Sequence, residues 1–397
     1  MGFSSGSISF RRFAVVGESP DNIDQALLDK LSEHALRPSD IGLPEEIEYG
    51  WSGGRHILDG EFSFENNVFA DALHFALRID TNKVPGDLKK AYQLMEEEAV
   101  AKTNPSGFIS KNQKRDVKET IRAKLDDELR TGRFRRSKLV PILWDLPSQT
   151  LYCNASAASA EKLMEIFERT FGLTLLPISA GVLALRILEP KHRRRDYEDL
   201  RPTRFAHGPE GEGQKPEYPW VAKGAEPKDF LGNEFLTWLW HEADERTGSI
   251  ETEAGEATIF FDRALDLDCA YGQTGRDSLR GDGASRMPEA MDGLRSGKVP
   301  RKAGLLLDAN NLQYSLTLSA ESFAFGSLKL PEVEDAENPR VLLEERVAML
   351  RDFCRSFDAM FASFLKTRAS SSWDGQAGAI RKWIQHSVRN PALVAVA

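Results

Sequence analysis

One stretch, residues 111–154, constrains the fold more than any other, because it joins a strongly basic helical pattern to two apolar strand patterns. Its first part, residues 111–138, contains eleven Lys or Arg against five Asp or Glu. The local net charge is therefore +6, in a chain whose formal net charge is −9. This contrast predicts that positive charge is gathered on one surface.

The basic helix has an apolar stripe and a basic flank. Its apolar residues recur every four positions, at Val117, Ile121, Leu125 and Leu129. Arg115, Lys118 and Arg122 lie together along one side of that stripe on a helical wheel. The spacing predicts that one side of the helix packs and that a neighbouring edge presents positive charge.

The helix is predicted to end at Thr131 and Gly132, because Gly tolerates the left-handed cap conformation. An exposed turn is predicted to follow, formed by Arg133, Phe134, Arg135 and Arg136. Arg guanidinium groups match phosphate oxygens, and a flanking aromatic ring can anchor a partner surface. The alternative is a solvated charged helix without a ligand.

The composition is that of an ordinary globular protein, with 41% hydrophobic and 28% charged residues in 397. There is no run of about 18 apolar residues, so no membrane span is predicted. The first ten residues lack the basic start and apolar core of a secretory signal. Three separated cysteines cannot form a disulfide framework or a metal cluster. We expect a cytoplasmic protein that does not bind membranes.

Alternating helical and strand patterns predict an α+β fold with mixed or antiparallel sheets, covering helices, two related halves and a helical arm. Residues 1–84 and 139–190 form the first half, a central sheet domain. Residues 85–138 form the arm. Residues 191–229, rich in Pro, Gly and charge, are a linker or insertion. Residues 230–397 form the second α+β half with the C-terminal helices.

Periodicity and end signals also place individual elements. Helices are predicted over residues 22–35, 85–101, 288–296, 339–368 and 373–386, with another starting at residue 231. Strands are predicted over residues 7–16, 73–79, 182–188, 303–308, 312–318 and 322–330. Residues 257–268 are predicted to form a pair of strands.

Few residues suggest chemistry at an active site. Asp262, Asp266 and Asp268 would share one face of a strand and could belong to a two-metal nuclease, although solvation explains them equally well. The seven histidines lack ligand spacing, and no phosphate-binding loop or nucleophile elbow is present, so no metal or cofactor is predicted. Trp238 and Trp240 could stack bases, but their spacing predicts one core and one interface residue.

Several strings, in their order along the chain, resemble the bacterial family of recombination-associated RdgC proteins. The strings are LRTGRFRRSKLVPILWDLPSQTLYCNASAASAEKLMEIFERTFG, LLPIS, PEAMDGLRSGKVPRKAGLLLDANNLQYSLTL and GSLKL. Their order covers most of the chain, with an added stretch at about residues 196–228.

The resemblance implies a ring-shaped homodimer that encircles double-stranded DNA without reading its sequence, modulates RecA-type recombination and is associated with the nucleoid. It implies a subunit junction at Phe134, DNA contacts near Arg133, Arg135 and Arg136, and a match of Lys298 to the family's GKV lysine. The predicted DNA-binding residues are Arg115, Lys118, Arg122, Arg133, Arg135, Arg136, Lys298, Arg301 and Lys302. The expected partners are duplex DNA, a second copy of the chain and a RecA-type recombinase.

Two alternatives stay open beside a non-enzymatic DNA-binding protein. One is a metal-dependent DNA exonuclease, and the other is an acidic interaction scaffold that does not bind nucleic acid. The loop at residues 280–286 departs from the family pattern, because Arg280 and Arg286 are its only positive charges. DNA contacts are therefore not expected from this loop.

Overall fold

The structure, a computed structural model, describes residues 2–37, 47–105, 107–208, 210–211, 213–222, 227–273, 275–333 and 336–386. It is an α+β protein in which strands pair in antiparallel ladders. The helices are α1 Gln25–Glu33, α2 Phe64–Asn67, α3 Gly86–Thr103, α4 Lys111–Arg130, α5 Ala157–Phe171, α6 Ala180–Leu188, α7 Arg194–Asp199, α8 Phe230–Glu245, α9 Pro288–Arg295, α10 Pro339–Arg368 and α11 Trp373–His386. The strands are β1 Ile8–Val16, β2 Ile47–Ser52, β3 Val68–Phe69, β4 Ala72–Asn82, β5 Arg135–Asp145, β6 Thr150–Cys153, β7 Thr174–Pro177, β8 Ser249–Thr252, β9 Gly255–Cys269, β10 Asp277–Arg280, β11 Lys298–Ala309, β12 Leu312–Ser319 and β13 Ala324–Lys329.

The chain divides into two compact units. The smaller unit consists of Gly17–Leu146 and Ala155–Thr174, and the larger unit of Met1–Val16, Pro147–Asn154 and Leu175–Ala397.

The smaller unit has a sheet in the order β5-β4-β2, with β3 also paired to β4. Strands β4 and β5 pair along their full lengths, from Ala72 opposite Asp145 to Asn82 opposite Arg135. Helices α1 and α5 contact each other, and the aromatic rings of α5 pack on the sheet. The Trp144 ring lies 5.2 Å from that of Phe167, in an edge-to-face arrangement.

A helical hairpin, α3 and α4, connects β4 to β5. Its core consists of Val117, Ile121 and Leu125 of α4, packed against Val84, Tyr92 and Val100. The predicted apolar stripe is thus confirmed at its first three positions, whereas Leu129 is only partly buried. At the base of the hairpin, Asn82 Nδ2 donates a hydrogen bond to the Leu129 carbonyl oxygen at 3.0 Å. Because β4 and β5 are hydrogen-bonded neighbours, the two ends of the hairpin are held together.

The larger unit has a sheet in the order β10-β9-β11-β12-β13-β1-β6, with β8 also paired to β9 and β7 to β1. Helices α8 and α10 contribute an aromatic cluster that also includes the turn before β13. Its members are Phe235, Phe323, Phe357, Phe361 and Phe364. The predicted helices over residues 339–368 and 373–386 are confirmed as α10 and α11.

Helix α8 is buried on all sides from Phe230 to Glu242. Trp238 and Trp240 are 7% and 2% exposed, so the prediction that one of them lies at an interface was wrong. The buried carboxylate of Glu234 pairs with the buried guanidinium of Arg368. A charge removed from water in this way requires such a partner. Neither tryptophan is available to stack on a base.

The described part of segment 191–229 packs on the larger unit. Tyr197, Leu200, Phe205, Tyr218 and Lys228 are buried there. The ammonium group of Lys228 donates to the carbonyl oxygens of Glu198 and Leu200, at 2.7 and 2.8 Å. This Pro- and Gly-rich segment is therefore held in the larger unit by its buried side chains.

Two predicted elements are corrected. Residues 182–188, predicted as a strand, belong to helix α6, which begins where the Ser179 hydroxyl accepts a hydrogen bond from Val182 N. A short apolar run does not distinguish a strand from a buried helix by periodicity. Residues 257–268, predicted as two strands, lie in the single strand β9. A bulge bends it at Arg263, whose φ is 54°.

No helix in the described residues combines the length and the apolar composition needed to cross a lipid bilayer.

Candidate nucleic-acid interface

Helix α4 carries the basic edge predicted from the sequence. Its first turn is fixed by a capping box, in which the Ser110 hydroxyl accepts from Gln113 N and the Gln113 amide oxygen accepts from Ser110 N. The amide of Gln113 also exchanges two hydrogen bonds with the Asn104 side chain, at 2.9 and 3.0 Å. The start of α4 is thereby tied to the end of α3.

Arg115, Lys118 and Arg122 are all exposed on one edge of α4. Arg115 Nε lies 3.8 Å from Glu119 Oε1, and both side chains are about three-quarters exposed, so water screens this pair. Within the described residues, Lys118 and Arg122 have no ion pair. The three positive charges are therefore accessible to a ligand.

Lys111 belongs to the same edge, although it was not among the predicted site residues. It is exposed and precedes Arg115 by four positions, which places it one helical turn away on the same side. The spacing of residues 111, 115, 118 and 122 is the signal in the sequence that could have identified it. The row covers about 16 Å at 1.5 Å per residue.

The segment after α4 presents two further cations. Gly132, with φ 68°, ends the helix as predicted. Arg133 is exposed, and its guanidinium carbon lies 6.0 Å from the centre of the Phe134 ring. Phe134 itself is partly buried. Arg136 is exposed on β5 and has no ion pair within the described residues.

Arg135 lies in an ion-pair network and not in an exposed turn, because β5 begins at this residue. Its guanidinium contacts Glu48 Oε2 at 2.7 Å and Asp80 Oδ2 at 3.0 Å. Asp80 is 2% exposed and also pairs with Arg78. Burial alone would raise the pKa of Asp80, but hydrogen bonds from Arg78 and Ser137, with the charges of Arg78 and Arg135, hold that pKa below its ordinary value. Arg135 therefore neutralises carboxylates of its own sheet.

The three predicted residues of β11 belong to the larger unit, and two of them are also ion-paired. Lys298 Nζ lies 2.6 Å from Asp277 Oδ2. Arg301 pairs with Asp268 and Glu321 and stacks over the Trp220 ring at 4.7 Å. Lys302 is exposed and has no ion pair in the described part of the chain.

A surface groove of about 560 Å³ lies beside Lys298 in the larger unit. Its charged lining consists of Arg276, Asp277, Glu289, Asp292 and Lys298. Acids outnumber bases in this lining, which makes the groove a poor match for a polyanion.

The aspartates of β9 do not form a carboxylate cluster. Asp266 is buried between Arg276 and Arg280, and Asp268 pairs with Arg301. Burial would raise the pKa of Asp266, but hydrogen bonds from Arg280, Ser278 and Arg276 hold it below its ordinary value. Across the described residues, no group of three His, Cys, Asp or Glu side chains is placed to hold a metal ion. The geometry thus favours structural roles for these acids.

Arg280 was expected not to contact DNA, and its guanidinium lies 2.7 Å from Asp266 Oδ1.

Of the nine predicted DNA-binding residues, three are held by carboxylates, namely Arg135, Lys298 and Arg301. The other six are exposed, namely Arg115, Lys118, Arg122, Arg133, Arg136 and Lys302.

Comparison with known protein families gives no matching family, and comparison with curated proteins gives no significant match.

Proposed function

We propose that this protein binds double-stranded DNA through phosphate contacts, without reading sequence and without chemistry of its own. The observation that carries the proposal is the exposed row of Lys111, Arg115, Lys118 and Arg122 on α4. Phosphates dominate the affinity of proteins that bind DNA without sequence preference. A rigid row of cations about 16 Å long matches several phosphates of a duplex.

Arg133 and Arg136 add two exposed positive charges at the base of the hairpin. The contact set in the smaller unit is therefore Lys111, Arg115, Lys118, Arg122, Arg133 and Arg136. The proposal gives a structural role to the three ion-paired residues, Arg135, Lys298 and Arg301, which stabilise their own strands. Lys302 is a further contact in the larger unit.

The functional unit in this proposal is a ring-shaped homodimer of two-halved subunits that encloses DNA, as the resemblance to RdgC proteins implies. Modulation of RecA-type recombination and association with the nucleoid come from the same resemblance. The overall charge of −9 supports confinement of the positive charge to one surface, because the remainder of the chain is strongly acidic.

The proposal is tested with duplexes of unrelated sequence and the triple variant Arg115→Ala, Lys118→Ala and Arg122→Ala. We expect affinity to fall by about tenfold or more at low salt, equally for all sequences. The slope of log K against log salt should become less steep by about 2 to 3. Fluorescence anisotropy across a salt series measures both quantities.

The matched control is Lys89→Ala, Lys90→Ala and Arg130→Ala, which removes three exposed positive charges from other positions on the same hairpin. Its affinity should change much less than that of the first variant. Equal losses for the two variants would overturn the contact assignment.

End-labelled DNA incubated with Mg²⁺ or Mn²⁺ separates binding from the nuclease alternative, since a binder yields shifted bands without products. An interaction scaffold gives no salt-sensitive shift.

A further inference from the structure

The surface groove of about 560 Å³ in the larger unit runs between helix α9 and one edge of the sheet. Strand β10 forms that edge, because β9 is its one neighbour among the described strands. One wall of the groove is a single face of α9, which carries Glu289, Asp292 and Ser296. The other wall is β10 itself, at residues 277–279. The groove therefore follows an open strand edge.

The backbone of Ser278 faces this groove. Gly281 N donates to Arg263 O at 3.0 Å, which fixes the phase of the ladder between β9 and β10. Along an antiparallel ladder, the backbone groups of successive residues point in turn to the partner strand and to the open side. Asp277 and Leu279 therefore bond to β9, and the N–H and C=O of Ser278 point to the open side. Such an edge accepts an added strand.

Both cations that line the groove are already bound by carboxylates of the same sheet. Lys298 Nζ lies 2.6 Å from Asp277 Oδ2. Arg276 contacts the carboxylate of Asp266, which is 2% exposed. Neither positive charge is therefore available to compensate an acid on the opposite wall.

The acids of α9 are left facing the groove. Glu289 is exposed and has no ion pair within the described part of the chain. The Asp292 side chain is 68% exposed and pairs with Arg295 on its own helix, where water screens the interaction. The wall formed by α9 thus attracts positive charge.

The side chains of an added strand would alternate between two surroundings. Those on one side would face the acids of α9. Those on the other side would lie beside Arg276 and Arg280, which both contact Asp266. Lys or Arg fits the first side, and a small uncharged residue fits the second. This alternation distinguishes the expected occupant from a polyanion and from a uniformly basic tail.

We propose that this groove docks an extended, basic segment of a partner protein, which adds to β10 as a further strand and places alternate Lys or Arg side chains against Glu289 and Asp292. Main-chain hydrogen bonds supply affinity in such a complex, and the alternate side chains supply selectivity. The site belongs to the larger unit and is independent of the DNA contacts proposed for α4.

A fluorescein-labelled octapeptide of alternating Thr and Lys tests the charge of the site. It should bind the full chain saturably at physiological salt, and an octapeptide of alternating Thr and Glu should bind at least about tenfold more weakly. Glu289→Lys should weaken binding of the Lys peptide by about tenfold. Glu345→Lys reverses an exposed acid of α10 and is the matched control. Equal losses in the two variants, or no saturable binding to the wild type, would overturn the proposal.

Methylation of the peptide backbone tests the addition of a strand. Methyl groups on alternate amides remove either the donors that face β10 or the donors that face solvent. One of the two methylated peptides should bind as the unmodified peptide does, and the other at least about tenfold more weakly. Two methylated peptides of equal affinity would exclude docking as a strand.

Substitution of Ser278 tests the same contact from the side of the protein. Ser278→Pro removes an N–H from an edge strand, a position that tolerates proline, and should weaken peptide binding by about tenfold. Ser278→Ala keeps the N–H and is the control. Circular dichroism checks that both variants fold, and the methylated peptides decide the question if the proline variant does not. Unchanged binding by a folded Ser278→Pro variant would contradict the proposal.

Two further measurements separate this site from the proposed function and from self-association. The triple variant Arg115→Ala, Lys118→Ala and Arg122→Ala should bind the Lys peptide as the wild type does, whether or not it binds DNA. Sedimentation of the peptide-free chain should be the same for the wild type and Ser278→Pro. A difference would assign the edge of β10 to a second copy of the chain and overturn the proposal.

Discussion

Arg135 and Arg136 are neighbours in one basic run, yet their surroundings are opposite. Successive side chains on a strand point to opposite faces, so only one of them can meet the carboxylates on one face of the sheet. Arg135 contacts Asp80 and Glu48, and Arg136 points into solvent. Because side chains alternate along the strand, Arg135 stabilises the sheet and Arg136 remains available to a ligand.

Single substitutions should separate these two roles. Arg135→Ala leaves Asp80 and Glu48 without that partner, and we expect a loss of stability of about 1 to 3 kcal/mol. Arg136→Ala should change stability by less than about 0.5 kcal/mol and should weaken DNA binding. Urea unfolding and fluorescence anisotropy measure the two effects. A stability loss for Arg136→Ala equal to that for Arg135→Ala would contradict the division.

The partners of Arg135 could not be identified from the sequence. Asp80 lies 55 residues and Glu48 87 residues away along the chain. They meet Arg135 because β4 pairs with both β5 and β2 in a particular register. A shift of one residue would place these side chains on the opposite face.

At the scale of elements, the α3–α4 hairpin follows closely from local sequence. The four-residue apolar spacing, the Ser110 cap and Gly132 each act within a few residues of the position they determine. The hairpin core is small, because no residue of α3 is buried. Its stability therefore depends on few contacts.

Ile121→Ala should open the hairpin without unfolding the rest of the smaller unit. Removing this 4%-exposed side chain costs about 2 to 4 kcal/mol, a large share of what a short helix pair can supply. Hydrogen exchange should accelerate in α3 and α4 while β4 stays protected, and DNA affinity should fall with it. The exposed neighbour Thr120→Ala is the control. Equal acceleration in β4 would show that the hairpin does not open separately.

At the scale of the whole molecule, a few buried or partly buried ionisable groups govern the response to pH. Asp80 and Asp266 have lowered pKa values, so the stability they contribute is lost only as the pH falls through those values. His74 acts in the same direction, but over a higher pH range. Burial lowers the pKa of its imidazole to about 4, so the folded chain resists protonation that the unfolded chain accepts below about 6.5.

Stability should therefore decrease as the pH falls from about 6.5 towards 4. The single histidine accounts for about 3 kcal/mol at most over this range. His74→Gln removes the titrating group and should flatten the decrease between pH 6.5 and 5, where the two buried aspartates remain ionised. Urea unfolding, followed at the amides of β4, measures the slope. An unchanged slope in the variant would exclude His74 as its source.

The sequence by itself determined the features that depend on near neighbours: the bounds of α10 and α11, the stripe and cap of α4, and the concentration of positive charge after residue 110. Tertiary structure alone decided that residues 182–188 form a helix, that residues 257–268 form one bent strand, and that Arg135, Lys298 and Arg301 are bound by carboxylates. The physical reason is the distance along the chain over which each interaction acts. Caps and periodicity act over one or two turns, whereas burial and ion pairing depend on strand register, which joins residues far apart in the chain.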